Sequence, residues 1–278
     1  MENPEEGWRS TFDKEDEQTH PGYYSVVLAD YGVRAELTAT PRVGYQRFTF
    51  PKSDNSHILL NIGNRMGESG RVRDAQIKVT GKRTVEGYVI TEPEYVKKYQ
   101  HGATVPMYFY AQFDHDLTDT DVALQGGQWQ KGESIEGEGA LMLLNFSTRE
   151  GEQIVTRIGL SYTSIDNARL NFRREARHKG FNAARKAAEK EWRRQLGRIK
   201  VEGGTDDSRI KFYTGLYHAL LGRGLASDVN GAYPRNDGTV GQIPPGKHGR
   251  PIHNHYNTDA VWGAYWNLTT LWSLAYPE

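Results

Sequence analysis

The chain has 278 residues, with 35 Lys and Arg balanced by 35 Asp and Glu, nine His and no Cys. A field of zero net charge does nothing to steer the protein toward a polyanion such as nucleic acid, and the lack of thiols excludes disulfides and cysteine chemistry. No apolar run approaches the roughly 20 residues of a membrane span, and the first twenty residues have neither the basic nor the apolar stretch of an export signal.

Residues 33–40 alternate apolar Val33, Ala35, Leu37 and Ala39 with polar Arg34, Glu36, Thr38 and Thr40, the two-residue period of a strand with one buried face. Asp30, Tyr31 and Gly32 are turn formers that fold the preceding run, 24–29, back onto it as a β-hairpin. Further strands are expected at 58–62, 75–80, 84–90, 106–114, 140–147 and 154–163. In 106–114, Met107, Phe109, Ala111 and Phe113 take one face and Tyr108, Tyr110, Gln112 and Asp114 the other. Many short strands with no helical pattern between them predict an antiparallel β-sandwich rather than a parallel βαβ sheet. Gly67-Glu68-Ser69-Gly70 lies among these strands without the spacing of a nucleophile elbow, which makes Ser69 a turn residue.

The period changes near Asp166. Phe181, Ala184, Ala188, Trp192, Leu196 and Ile199 recur at intervals of three and four and form one apolar stripe on a helix. Between Arg169 and Arg198 eleven Lys and Arg face three Asp and Glu, the composition of a solvated helix face without the interleaved aromatics of a nucleic-acid surface. Gly203 and Gly204 end this region, and Thr205 with Asp206 and Asp207 forms the N-cap and acidic first turn of the next helix. Its inner positions are expected to be Ile210, Tyr213, Tyr217, Leu220 and Leu221. A loop rich in Gly, Pro and Asn covers roughly 222–257, and Thr258 is expected to cap a third helix. Val261, Tyr265, Leu268 and Trp272 lie along one ridge of that helix and Trp262 and Trp266 along the next. A helix apolar on several sides belongs in an interior, so a larger helical domain is expected to continue beyond Glu278.

The blocks YYSVVLADYGVRAELTAT and RFTFP in the strand region, RIKVEGGTDD, FYTGLYHALLGRGLASDVNGAYP and VWGAYWNLTTLW in the helical region, together resemble glycoside hydrolase family 92, the calcium-dependent exo-acting α-mannosidases. The resemblance spans nearly the whole chain from Trp8. It implies a β-sandwich followed by an α-helical region, multi-domain β plus α, with an incomplete (α/α)6 toroid. Residues 1–165 would be the N-terminal sandwich, 166–204 the linker helices and 205–278 the first helices of the toroid. It also implies an α-linked mannose-type glycan as partner, calcium as cofactor with ligands outside this chain, and a periplasmic or secreted location.

The densest polar constellation is His253-Asn254-His255-Tyr256-Asn257-Thr258-Asp259, which leads into Val261 and Trp262. Read as a sugar subsite, Asn257 and Asp259 hydrogen-bond hydroxyls, His255 stands beside them, and Trp262 offers a flat apolar face to a pyranose. Read as plain structure, Asp259 sits in a capping turn and Trp262 in the core. Asp228, in SDVNGAYP, resembles a family loop near the sugar and is equally ordinary turn chemistry. His253 and His255, with Asp259 as a third ligand, would be the frame of a metal-dependent hydrolase, although this spacing matches no zinc signature. Two positions depart from the family pattern: Trp262-Gly263 stands where mannosidase-type members usually carry Trp-Asp, and Gln46 where a His often precedes the Arg of RFTFP. The resemblance puts the catalytic acid and base beyond Glu278, so these residues alone are expected to be inactive. A non-catalytic carbohydrate-binding sandwich is the remaining alternative.

Overall fold

The computed structural model describes residues 9–65, 69–94, 98, 102–221, 224–257 and 264–277. Among them the chain runs through β1 (Gln18–His20), β2 (Tyr23–Leu28), β3 (Val33–Ala39), β4 (Val43–Phe50), β5 (Ser53–Asn61), β6 (Arg71–Gly81) and β7 (Thr84–Glu92). It continues with β8 (Val105–Phe113), β9 (Asp119–Leu124), β10 (Gln130–Lys131), β11 (Ser134–Glu136), β12 (Ala140–Thr148) and β13 (Glu152–Ser161). Four α-helices follow among the described residues: α1 (Ile165–Glu175), α2 (Phe181–Leu196), α3 (Asp206–Leu221) and α4 (Leu268–Ala275). Short strands β14 (Gly224–Leu225), β15 (Ala232–Pro234), β16 (Val240–Gln242) and β17 (Tyr256–Asn257) lie between the last two helices.

The strands of the first part form two antiparallel sheets, a nine-stranded one in the order β1-β2-β3-β4-β13-β8-β7-β6-β11 and a four-stranded one in the order β10-β9-β12-β5. Their facing surfaces make one core: Val33, Phe50, Ile77, Val85, Phe109, Phe113 and Ile154 of the large sheet meet Ile58, Val122, Met142, Leu144 and Phe146 of the small one. This is the expected β-sandwich, and Phe109, Ala111 and Phe113 face inward as the alternation in 106–114 predicts. Sequence periodicity missed β4 and β9, together with the short β1, β10 and β11 and the strands β14 to β17 in the expected loop. In β4 the inward residues Phe48 and Phe50 and the outward residues Val43 and Tyr45 are all apolar, so no single alternation runs along it.

A second core explains why both faces of β4 are apolar. Tyr23, Val43 and Tyr45 on the outer face of the large sheet pack against Phe172 and Ala176 at the end of α1 and Phe181 and Ala184 of α2. Helix α1 starts on Ser164, whose Oγ accepts the amide of Asn167 at 3.0 Å, a side-chain N-cap. It lies close on β13 because Gly159 has no side chain; a Cβ there would stand 2.4 Å from the Ala168 carbonyl oxygen. The stripe predicted for α2 faces the sheet at Phe181 and Ala184, and the helix stops at Leu196, before Ile199.

Coverage by the helices overturns part of the β3 expectation. Val33 and Ala35 are buried as predicted, but Leu37 is exposed at 37% and Ala39 is exposed as well, whereas Glu36 and Thr38 on the opposite face are buried. The alternation is present; the helical layer decides which face of its second half is covered. Glu36 is stabilised there by Tyr23, whose hydroxyl donates at 2.8 Å, and by Arg47, whose Nε and Nη2 each donate at 2.6 Å. Arg47 also donates to Asn182 at 3.0 Å and lies over the Phe181 ring at 4.2 Å, so one buried pair joins β2, β3 and β4 to α2. Burial pushes the Glu36 carboxyl up, but the hydrogen bonds and charge of Arg47 and the Tyr23 hydroxyl outweigh it and hold the group below the usual carboxylate range.

The later helices differ from expectation. Thr205 caps α3 as predicted, its Oγ1 accepting the Ser208 amide at 3.2 Å. Within α3, however, the buried residue is Leu216, and Ile210 and Leu221 are exposed. Thr258, Val261 and Trp262 lie outside the described residues. Among those described, α4 has no buried residue, and Tyr265 and Trp266 just before it are exposed. Contacts that tie this end down include Trp272 Nε1 donating to the Ala219 carbonyl, the Tyr276 hydroxyl donating to the Gln195 carbonyl and Arg198 Nη1 donating to the Ala275 carbonyl, each at 3.0 Å. No helix among the described residues is long and apolar enough to cross a membrane.

Candidate functional site

The segment 224–257 returns to its start. Strands β14 and β17 close its base, Gly224 opposite Asn257 and Leu225 opposite Tyr256, and β15 pairs with β16 as an inner hairpin. The His255 backbone is held on both sides: its carbonyl accepts the amides of Ala226 and Ser227 at 2.9 and 3.3 Å, and its amide donates to Ser227 Oγ at 3.0 Å. Its imidazole stacks on Tyr233 with ring centroids 4.5 Å apart and 31° between planes. Tyr233 in turn lies over Gly241, where an added Cβ would meet the Tyr ring at 2.3 Å. Tyr233 thus contacts both Gly241 and the His255 ring, which is half-buried. The His255 ring nitrogens have no hydrogen-bond partner among the described residues, so they are available to a ligand hydroxyl as donor or acceptor.

Asp228 is built into the junction between the loop and the sandwich. It is 3% exposed, and its carboxylate accepts from Ser161 Oγ at 2.9 Å, Thr163 Oγ1 at 2.5 Å and Asn171 Nδ2 at 2.6 Å. Its carbonyl accepts the Gly231 amide at 2.9 Å, which closes a tight turn. A carboxylate that accepts from the end of β13 and from α1 fastens the loop to the sandwich. Asn171 adds a second fastening by accepting the Val229 amide at 3.0 Å, and Asn230 reaches Asn167 at 2.9 Å.

Asn257, also expected in the site, is exposed on the same short stretch as His255, with Asn254 and Tyr256 exposed between and beside them. Asp259 and Trp262 lie outside the described residues, as does Gly263. His253 and His255 have different neighbours, and Asp259, the third expected ligand, lies outside the described residues. The His253 Nδ1 lies 3.1 Å from the Asn254 carbonyl oxygen, while His255 stacks on Tyr233. Among the described residues no group of three or more His, Cys, Asp or Glu side chains stands close enough to hold a metal ion, so no metal-dependent step is derived from them. Sequence reasoning missed Ser227 and Tyr233 within the segment itself, Arg42 in the turn before β4, which donates to Ser227 and Asn254, and Glu175 at the end of α1, which holds Arg42. Their only local signal is a polar residue in a turn or at a helix end, which is too common to single out.

Two family models cover the chain. Residues 1–161 match the glycosyl hydrolase family 92 N-terminal domain, and residues 167–278 match the glycosyl hydrolase family 92 catalytic domain. The chain belongs to glycosyl hydrolase family 92. The family 92 α-mannosidase of Bacteroides thetaiotaomicron is 26% identical over 97% of this chain, with a TM-score of 0.84. The same enzyme in complex with mannoimidazole superposes equally well, at 0.84. A family 92 inverting mannosidase of that organism, 23% identical over 96% of the chain with a TM-score of 0.80, shares the fold. This chain covers 35%, 34% and 34% of those three structures, so it spans about a third of their length. No curated protein matches it. As a family 92 chain it carries the family's sandwich followed by helices, and the loop 224–257 falls in the part matched by the catalytic-domain model.

Proposed function

We propose that this family 92 chain forms the sandwich and the first helical part of an inverting exo-α-mannosidase that removes terminal α-mannose from glycans. In this reading residues 1–165 are the sandwich, 166–204 the linker helices and 205–278 the opening helices of an (α/α)6 catalytic ring. The observation that carries it is the 26% identity and 0.84 TM-score to a family 92 α-mannosidase over nearly the whole chain. That relative also has a complex with mannoimidazole, which supports a mannose-type ligand here. The segment around His255 is the sugar-facing wall. His255 and Asn257 bond ring hydroxyls, and Asp259 and Trp262 complete the wall from the adjoining residues.

An inverting glycosidase needs an acid to protonate the leaving oxygen and a base to activate water, with the two carboxyl groups about 6.5–9.5 Å apart. Neither role is assigned within these 278 residues, and calcium, expected from the family, is given no ligand among them. The periplasm or the extracellular space is the proposed location. The test is turnover of an aryl α-mannoside followed by NMR of the released sugar. The complete enzyme carrying this sequence is expected to release β-mannose first, and the 278 residues alone to release none. Release of α-mannose first, or cleavage confined to a different α-hexoside, overturns the proposal. Turnover by the isolated chain overturns the placement of the acid and base outside it.

A further inference from the structure

We infer that Arg42 and Glu175 are positioning residues through which the sandwich orients the His255 segment, an inference that rests on the reading above for the sugar that segment faces. The two side chains are 13% and 14% exposed and lie 3.0 Å apart. Glu175 ends α1 and closes on the turn between β3 and β4. One carboxylate oxygen accepts Thr40 Oγ1 at 2.6 Å and the Arg42 amide at 2.9 Å, and the other accepts Arg42 Nη1 at 3.0 Å. The last of these holds one arm of the guanidinium. The remaining two faces of the fork point into the loop, where Nε donates to the Ser227 carbonyl at 2.6 Å and Nη2 to Asn254 Oδ1 at 3.3 Å.

Ser227 and Asn254 are the residues that bracket His255. Ser227 holds its backbone through both its amide and its hydroxyl, and Asn254 precedes it in sequence. An ion pair that only stabilised the fold would need nothing beyond Glu175. Arg42 instead spends its planar fork on acceptors from three segments, a geometry that a lysine ammonium, a single charge on a flexible stem, cannot reproduce. The Arg47–Glu36 pair provides a built-in comparison. It is as buried, at 14% and 7%, but its other partners are Asn182 and the Phe181 ring of α2. It reaches no residue of 224–257 through these bonds.

The experiment is amide hydrogen exchange and imidazole NMR of the 278-residue chain in five forms: parent, Arg42→Lys, Glu175→Gln, Asn254→Ala and Arg47→Lys. Arg42→Lys and Glu175→Gln are expected to speed exchange at Ala226, Ser227 and His255 by about 10- to 100-fold, the factor corresponding to a lost charge-assisted hydrogen bond. Arg47→Lys is expected to leave those three amides unchanged. Asn254→Ala removes the exposed acceptor of Arg42 Nη2 and leaves the Arg42–Glu175 contact in place, and is expected to speed His255 alone; it keeps the inference testable if a buried-pair variant fails to fold. Exchange within about twofold of the parent in the folded variants, or equal acceleration by Arg47→Lys, overturns the inference. A titration with methyl α-mannoside separates the two readings. If the parent His255 ring signal does not shift, the sugar assignment fails, and the exchange comparison still decides whether Arg42 and Glu175 set the segment.

Discussion

Between the two sheets, Met142, Leu144 and Ile154 have no exposed surface and Phe113 and Phe146 almost none, whereas in the last third of the chain Ile210 is 63%, Trp266 67% and Leu274 81% exposed. The sandwich meets its apolar pattern with partners from two sheets and, on its outer face, from α1 and α2. Helices α3 and α4 have comparable apolar side chains and bury only Leu216 between them. The difference teaches that hydrophobic periodicity reports the face an element is suited to bury. It does not report whether the described residues supply the covering surface.

The largest test of that contrast is a pair of truncations. Phe146→Ala should remove about 3–5 kcal/mol of stability, through lost transfer energy and a cavity in the inter-sheet core, read from urea denaturation. If instead it costs no more than a surface change, the closed-core half of the contrast is wrong. The junction between sandwich and helices comes next. Glu36→Gln leaves Arg47 buried without its charge partner and should cost on the order of 3 kcal/mol.

The same pair sets a pH dependence. Glu36 has a folded pKa below that of an unperturbed Glu, about 4.3, so its contribution is complete above that value and is lost as pH falls through the lower folded pKa. The melting temperature of the parent should therefore fall more steeply below pH ~4.3 than that of Glu36→Gln. Parallel curves for the two proteins would remove Glu36 from the acid response.

A smaller effect is expected where α1 touches β13. Gly159→Ala places a methyl 2.4 Å from the Ala168 carbonyl oxygen and 2.8 Å from Phe172 Cβ. Overpacking of this kind costs about 1–3 kcal/mol, measurable as a drop in melting temperature with loss of near-ultraviolet signal. Smallest of all should be Leu274→Ala, within about 0.5 kcal/mol of the parent because the side chain is already exposed. A cost for Leu274→Ala approaching that for Phe146→Ala would erase the distinction between the two regions.

Most strands were legible because their neighbours demand one thing of them. The runs at 84–90 and 140–147 sit inside β7 and β12, and 106–114 runs one residue past β8, where Phe109, Ala111 and Phe113 meet the inter-sheet core while Tyr110 on the other face meets Phe172 of α1. Strand β4 was not legible, since half of it faces the other sheet and half faces the helices. In the candidate site the stretch 253–257 stood out by polar density alone, while the bonds that tie Asp228 to the sandwich, and Tyr233 and Arg42, went unnoticed. Each of these depends on a partner more than twenty residues away: Asp228 on Ser161 and Asn171, Tyr233 on His255, Arg42 on Glu175 and Ser227.

By itself the sequence determined that the chain begins as antiparallel strands and turns helical near Asp166, and its local words already resembled family 92. These properties are written within windows of a few residues, through the two-residue and 3.6-residue periods and through turn and cap chemistry. Tertiary structure alone decided that Glu36 is buried and Leu37 exposed, that the Asp228 carboxylate is occupied, and that His255 is held by a serine and stacked on a tyrosine. Those outcomes turn on hydrogen bonds and contacts between distant segments, whose free energy exists only once the layers have packed.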